Sequence, residues 1–236
     1  MKSQKRAPDN LPSGQPSSKK CHTEPNAGPV KNKWACAWRK CPDAAAYKYS
    51  FEAFNPRVAT KVTSNLIGGY CTIIGNASIP RGKVTSWSVK ILNSRKNNGD
   101  YIYIGVAPSG INQTEDRNYK KSGWYFDCGI SSLRSGPPHD YEGKEYGPRK
   151  EKGQYVHTGD SVGVVMDTTK GELSFVVNGV NLGVAYEGIP LDKPLVPCVL
   201  LWNERDSVEF DTFEVKEKGS SSGAPEENDD SGCIIS

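Results

Sequence analysis

In the run GDSVGVVMDTTKGELSFVVNGVNLGVAY, residues 159–186, Val162, Val164 and Met166 alternate with Gly163, Val165 and Asp167, and Leu173, Phe175 and Val177 alternate with Glu172, Ser174 and Val176. Successive side chains on a strand point to opposite faces, so a period of two predicts strands with one face buried. TTKG at 168–171 and the pair Asn178 and Gly179 are residues suited to tight reversals. A two-residue turn at Asn178 and Gly179 sets Val177 opposite Val180, Phe175 opposite Leu182 and Leu173 opposite Val184, all apolar, with Glu172, Ser174 and Val176 turned the other way. The stretch is predicted to form a three-stranded antiparallel meander.

Further strand candidates recur between Gly, Pro and Asn breaks: YCTIIG, TSWSVKIL, YIYIGVA, GWYFDCG, LVPCVLLW and DSVEF. No helical periodicity lasts three turns, and AAAY at 44–47 is too short to hold a helix alone. The pattern predicts an all-β fold, a sandwich of two antiparallel sheets. Residues 1–33 carry seven Lys/Arg against two acids and almost no large apolar residues, the composition of a disordered basic arm. Residues 34–215 are the expected folded domain, and residues 216–236, with Glu226, Glu227, Asp229 and Asp230, a flexible acidic tail.

Charge narrows the function classes. With 30 basic and 27 acidic residues the net charge is +3, which argues against a dedicated nucleic-acid binder and leaves a regulator acting through the basic arm as the alternative reading. No stretch reaches the roughly 20 apolar residues that span a bilayer, and MKSQKRAPDN lacks the apolar core of a signal peptide. A cytoplasmic protein with reduced thiols is expected. Cys71, Cys128 and Cys198 lie in strand-like runs and are expected to pack.

The order TSWSVKIL, YIYIGVA, GWYFDCG, the 159–186 meander and LVPCVLLWNERDSVEF resembles the SPRY (B30.2-type) domain family. The most specific part is Gly159-Asp160, the strand ending at Asp167, GELSF from Gly171, Asn178-Gly179 and Leu182-Gly183, in that order. The resemblance spans about residues 34–215. It implies a bent β-sandwich that binds other proteins, commonly short peptides, in a shallow pocket formed by loops at one edge, with neither catalysis nor a cofactor. It also assigns residues. Trp202 matches the pocket aromatic after the penultimate strand, Leu201 and Asn203 flank it, and Tyr119 is the nearest counterpart of a pocket tyrosine in the loop after the GVA strand. The Gly usual after that Trp is Asn203 in this sequence. The loop RSGPPHDYEGKEYGPRK at 134–150, with Tyr141 and Tyr146, is a second candidate binding surface, its rigid aromatics suited to contact.

Catalytic and metal chemistry find little material. Cys128 with His139 or His157 would make a thiol–imidazole pair, but no motif fixes its geometry. GPPHDYEGKE lacks the spacing of a phosphate loop. Cys21, His22, Cys36 and Cys41 are four soft ligands at spacings foreign to common zinc fingers, so no metal site is expected. The final CIIS, with Cys233 four from the end, has the prenylation pattern, and a terminal Ser favours farnesyl. One lipid gives only reversible membrane binding, and the acidic residues upstream oppose an anionic surface, so the basic arm is the expected second contact. The expected location is therefore the cytoplasm, peripheral on a membrane when Cys233 is modified.

Overall fold

The computed structural model describes residues 35–39, 49–52, 55–63, 69–95, 101–115, 118–147 and 156–212. Among them the strands are β1 (Tyr49–Glu52), β2 (Asn55–Lys61), β3 (Cys71–Ile74), β4 (Val84–Asn93), β5 (Ile102–Pro108), β6 (Trp124–Asp127), β7 (Ser132–Ser135), β8 (Glu142–Glu145), β9 (Ser161–Asp167), β10 (Glu172–Val177), β11 (Val180–Tyr186), β12 (Leu195–Leu201) and β13 (Ser207–Thr212). The described residues contain one short 3-10 turn, Asn118–Lys120, and no α-helix. Two antiparallel sheets result, one in the order β1-β2-β13-β4-β9-β10-β11 and the other β3-β12-β5-β6-β7-β8. The sequence expectation of an all-β, two-sheet sandwich holds.

The alternation seen in the sequence builds the core. Trp87, Val89 and Ile91 of β4, Val162, Val164 and Met166 of β9, and Leu173 and Phe175 of β10 turn inward from the seven-stranded sheet. They meet Ile104, Phe126 and Val199 of the other sheet in one apolar cluster, with Phe126 and Phe175 rings 5.5 Å apart across the interface. Cys71, Cys128 and Cys198 are buried, as is Cys36, and none of the four is in a disulfide. β5 and β12 are buried on both faces, which explains why they read as continuous apolar runs rather than alternating ones.

The meander forms with one correction. Val177 pairs with Val180 across Asn178 and Gly179, whose φ angles of 48° and 83° are the two positive values of a type I′ turn. Beyond it the ladder shifts, so that Val176 pairs with Asn181, Ser174 with Val184 and Leu173 with Tyr186; the expected Phe175–Leu182 and Leu173–Val184 pairs do not form. The Tyr146 hydroxyl enters the gap, accepting the Phe175 N–H at 3.2 Å and donating to the Gly183 carbonyl at 2.6 Å. Val180 and Val184 of edge strand β11 face solvent.

The segment 134–150, expected as a loop, contains the second half of β7 and all of β8, joined through residues 136–141. Residues 40–48, including AAAY and Cys41, lie outside the described residues, as do both terminal segments with Cys21, His22 and Cys233.

Candidate functional site

The outward face of the six-stranded sheet carries a second, separate cluster. β5 turns Tyr103 and Ala107 to this side, β12 turns Val196, Cys198 and Leu200, and β6 contributes Tyr125. Tyr70 and Tyr119, from the segments before β3 and β6, close over them, and Trp202 and Ile111 pack on the outside. Ring centroids of Tyr70 lie 5.1 Å from Tyr103, 5.4 Å from Tyr119 and 4.7 Å from Trp202, and Tyr119 meets Tyr103 edge-on at 5.2 Å. Such offset and edge contacts are the favoured aromatic geometries.

Trp202 is half-buried and has an exposed neighbour. Tyr101 is 46% exposed with its ring 6.2 Å from the indole, and its φ of 62° lies in the left-handed region that a bulky residue rarely adopts. Strain of this kind concentrates at functional sites. Trp202 is held by the turn after it. Asp206 accepts the Asn203 N–H at 2.8 Å and the Arg95 N–H at 3.2 Å, while the Asp206 N–H returns to the Asn203 carbonyl at 3.1 Å. Burial pushes the Asp206 carboxyl up to about 6 despite these bonds and the nearby Lys61 charge.

Beneath the rim the electrostatics are fixed. The Tyr70 hydroxyl donates to Tyr103 Oη at 2.7 Å. Burial drives both phenols well above their usual range, assisted for Tyr70 by Tyr103 and for Tyr103 by Asp127, so they stay neutral. Arg134 of β7 stands 5.3 Å from the Tyr103 ring centroid and 5.7 Å from that of Tyr119, its Nε donating to Asp127 Oδ2 at 2.7 Å. Burial raises the Asp127 carboxyl while the Arg134 hydrogen bond pulls the other way.

The structure therefore brings Trp202 and Tyr119 into one cluster, with Tyr119 buried in its floor. Three other residues expected at a binding surface face inward instead. Leu201 is fully buried because strand alternation turns it to the main core, Asn203 is 6% exposed inside the Asp206 turn, and Tyr146 is 8% exposed with its hydroxyl bridging β10 and β11. Tyr141 is half-buried and packs against the main core, not the Trp202 cluster, stacked on Tyr186 at 5.6 Å with Lys144 Nζ 4.2 Å above its ring. Tyr70, Tyr101 and Tyr103 escape sequence reasoning, and Arg134 enters it as the first residue of the 134–150 segment, without a role of its own. The tyrosines on alternate positions of YIYIGVA, out of phase with the inward isoleucines, are the signal that marks a second packed face.

Other chemistry is poorly supported. The Cys128 thiol is fully buried and thereby raised well above its usual range, the reverse of an activated nucleophile. His139 has both ring nitrogens engaged, Nδ1 accepting from Trp124 Nε1 at 3.0 Å and Nε2 donating to the Glu187 carbonyl at 2.8 Å. Among the described residues no group of three His, Cys, Asp or Glu side chains could hold a metal. An open groove of about 540 Å³ runs over the outer face of the other sheet, lined by Val84, Ser86, Gly163, Val165 and Val176. Its polar side chains are the three serines Ser86, Ser88 and Ser161, and no charged side chain among the described residues lines it, whereas the Trp202 face has exposed aromatics and a placed charge.

No curated protein matches the sequence. Among solved structures the fold is similar to the SPRY domain of human HERC1, at 17% identity and a TM-score of 0.52, covering 71% of this chain and 94% of that one. It is also similar to the TRIM65 PSpry domain, at 13% identity and a TM-score of 0.52, covering 74% of this chain and 90% of that one. Both likenesses concern the fold. The sequence profile described as the SPRY domain matches residues 84–213, more than half of the chain and the span that carries β4 to β13, and on this match the chain belongs to the SPRY domain family.

Proposed function

We propose that the protein is a non-enzymatic recognition module that binds a partner protein or short peptide on the aromatic face around Trp202, Tyr101 and Tyr119. SPRY domains are typically protein–protein interaction modules. The observation that carries the reading is the half-exposed indole, with exposed Tyr101 beside it, on a floor of three packed tyrosines. Large rigid aromatics of this kind dominate binding energy when a partner covers them. The B30.2-type subclass belongs to the same proposal, supported by the three strands upstream of residue 84 that complete both sheets.

The test is capture of partners by wild type, Trp202→Ala and Val180→Ser, the last altering an exposed residue on β11. Partners held by wild type and Val180→Ser and lost with a folded Trp202→Ala support the site; equal capture by all three removes it. A hot-spot tryptophan is worth on the order of 2 kcal/mol or more, a loss of roughly thirtyfold in affinity.

The sequence motif CIIS supports a further part of the proposal, prenylation of Cys233 with reversible membrane contact aided by the basic arm, the protein residing in the cytoplasm and on its membrane faces. Isoprenoid labelling that is absent from Cys233, or a Cys233→Ser variant that fractionates like wild type, would remove it.

A further inference from the structure

The guanidinium of Arg134 is held by one carboxylate and still presents most of its donors. Its Nε bonds Asp127 Oδ2 at 2.7 Å, and Asp127 is itself fixed by the Gly129 N–H at 3.0 Å. The Tyr103 and Tyr119 rings lie 5.3 and 5.7 Å from the guanidinium carbon, so position and orientation are set before any ligand arrives. A guanidinium has donors on three nitrogens. The described residues supply an acceptor for Nε alone, and the Arg134 side chain is 20% exposed against 5% for Asp127. The other acids at this edge are committed elsewhere. Glu142, paired with Arg134 across β7 and β8, accepts from Lys120 Nζ at 2.6 Å, and Glu115 is bonded to Lys121.

We infer that the site takes a peptide bearing an Asp or Glu, whose side-chain carboxylate docks on the terminal nitrogens of Arg134 while an apolar neighbour packs on Trp202. The inference rests on the reading of the Trp202 face as the partner site. A rigid guanidinium fork matches a carboxylate in two parallel hydrogen bonds. Phosphate fits less well, because Arg134 already shares its charge with Asp127 and the lysines beside it, Lys120 and Lys121, are paired.

The experiment is selection of a random 12-residue peptide display library on the wild-type protein, on Trp202→Ala and on Arg134→Gln, followed by affinity measurements on synthetic peptides. Peptides that require Trp202 are expected to share an acid at one fixed position. Replacing that acid by its amide, on the unaltered protein, is expected to weaken binding by at least about tenfold, as for a charge-assisted hydrogen bond. The same replacement should cost little against Arg134→Gln. The amide swap on wild type keeps the test valid even where the Arg134 variant folds poorly. Trp202-dependent peptides that lack a fixed acid, or tolerate the amide, overturn the inference and leave the site standing. Tighter binding of a phosphoserine at that position reassigns the fork to phosphate and also overturns it. A library with no Trp202-dependent binder removes the site reading and the inference with it.

Discussion

Tyr146→Phe removes one oxygen atom and leaves the ring in its contacts, edge-on to Phe126 and Phe175 at 6.2 and 6.0 Å. That oxygen joins two strands where their own ladder shifts register, accepting the Phe175 N–H and donating to the Gly183 carbonyl. Phe175 is fully buried, so its amide would be left without a partner at a cost of about 1–3 kcal/mol. Gly183 is exposed and water can replace the hydroxyl, so that loss is smaller, about 0.5 kcal/mol. The expected destabilisation is about 2–3 kcal/mol, seen in urea titration as a midpoint lower by roughly 1 M with an unchanged slope. Amide hydrogen exchange should show Phe175 losing protection. Partner capture by the folded fraction should match wild type, because the residue presents almost no surface. A midpoint within about 0.2 M of wild type would refute the bridging role, and a loss of capture at unchanged stability would return Tyr146 to the binding surface.

Two further outcomes are expected. Gly105 lies in β5 where an added Cβ would stand 1.9 Å from the Trp124 carbonyl oxygen of β6, so Gly105→Ala must push two central strands apart and is expected to cost about 3 kcal/mol or more by urea titration; a change under about 1 kcal/mol would show that the sheet yields there. Asp206 has a folded pKa of about 6, above the ordinary aspartate value of 3.8, so the native state binds its proton more tightly and the stabilisation, present below about pH 4, is lost as pH rises through 6. Measured against Asp206→Asn, wild-type stability should fall by about 3 kcal/mol at most between pH 4 and pH 7. A relative gain over that range would mean that the two backbone N–H bonds outweigh burial.

Much of the fold is legible because the physics that sets it is local. β4, β9, β10 and β13 show a buried face at a period of two, and β5 and β12 show the continuous apolar run of strands covered on both sides. The strands that escape notice are short or polar. β8 reads EGKE and exists through pairing with β7, and β1 and β8 are edges of their sheets, where one face and one row of backbone groups meet solvent. The register of β10 against β11 is not legible either, because the shift is filled by a hydroxyl from Tyr146, some thirty residues upstream.

The candidate site divides in the same way. Trp202 and Tyr119 are reachable through the family resemblance, and the structure sets both against Tyr70. The flanking Leu201 and Asn203 follow from adjacency to Trp202, yet alternation sends Leu201 to the core and the Asp206 turn takes Asn203. Arg134 gives no local sign of its role, which depends on Asp127 of the neighbouring strand and on rings brought in by Tyr103 and Tyr119.

The most direct measurement places a photo-crosslinking benzoylphenylalanine at position 101 or at position 180, both exposed in the free protein, and identifies what each captures in cells. Attachment of a partner from position 101, abolished by Trp202→Ala, with none from position 180, is the expected result. Attachment from position 180 alone, or from position 101 regardless of Trp202, would contradict a partner site on the aromatic face.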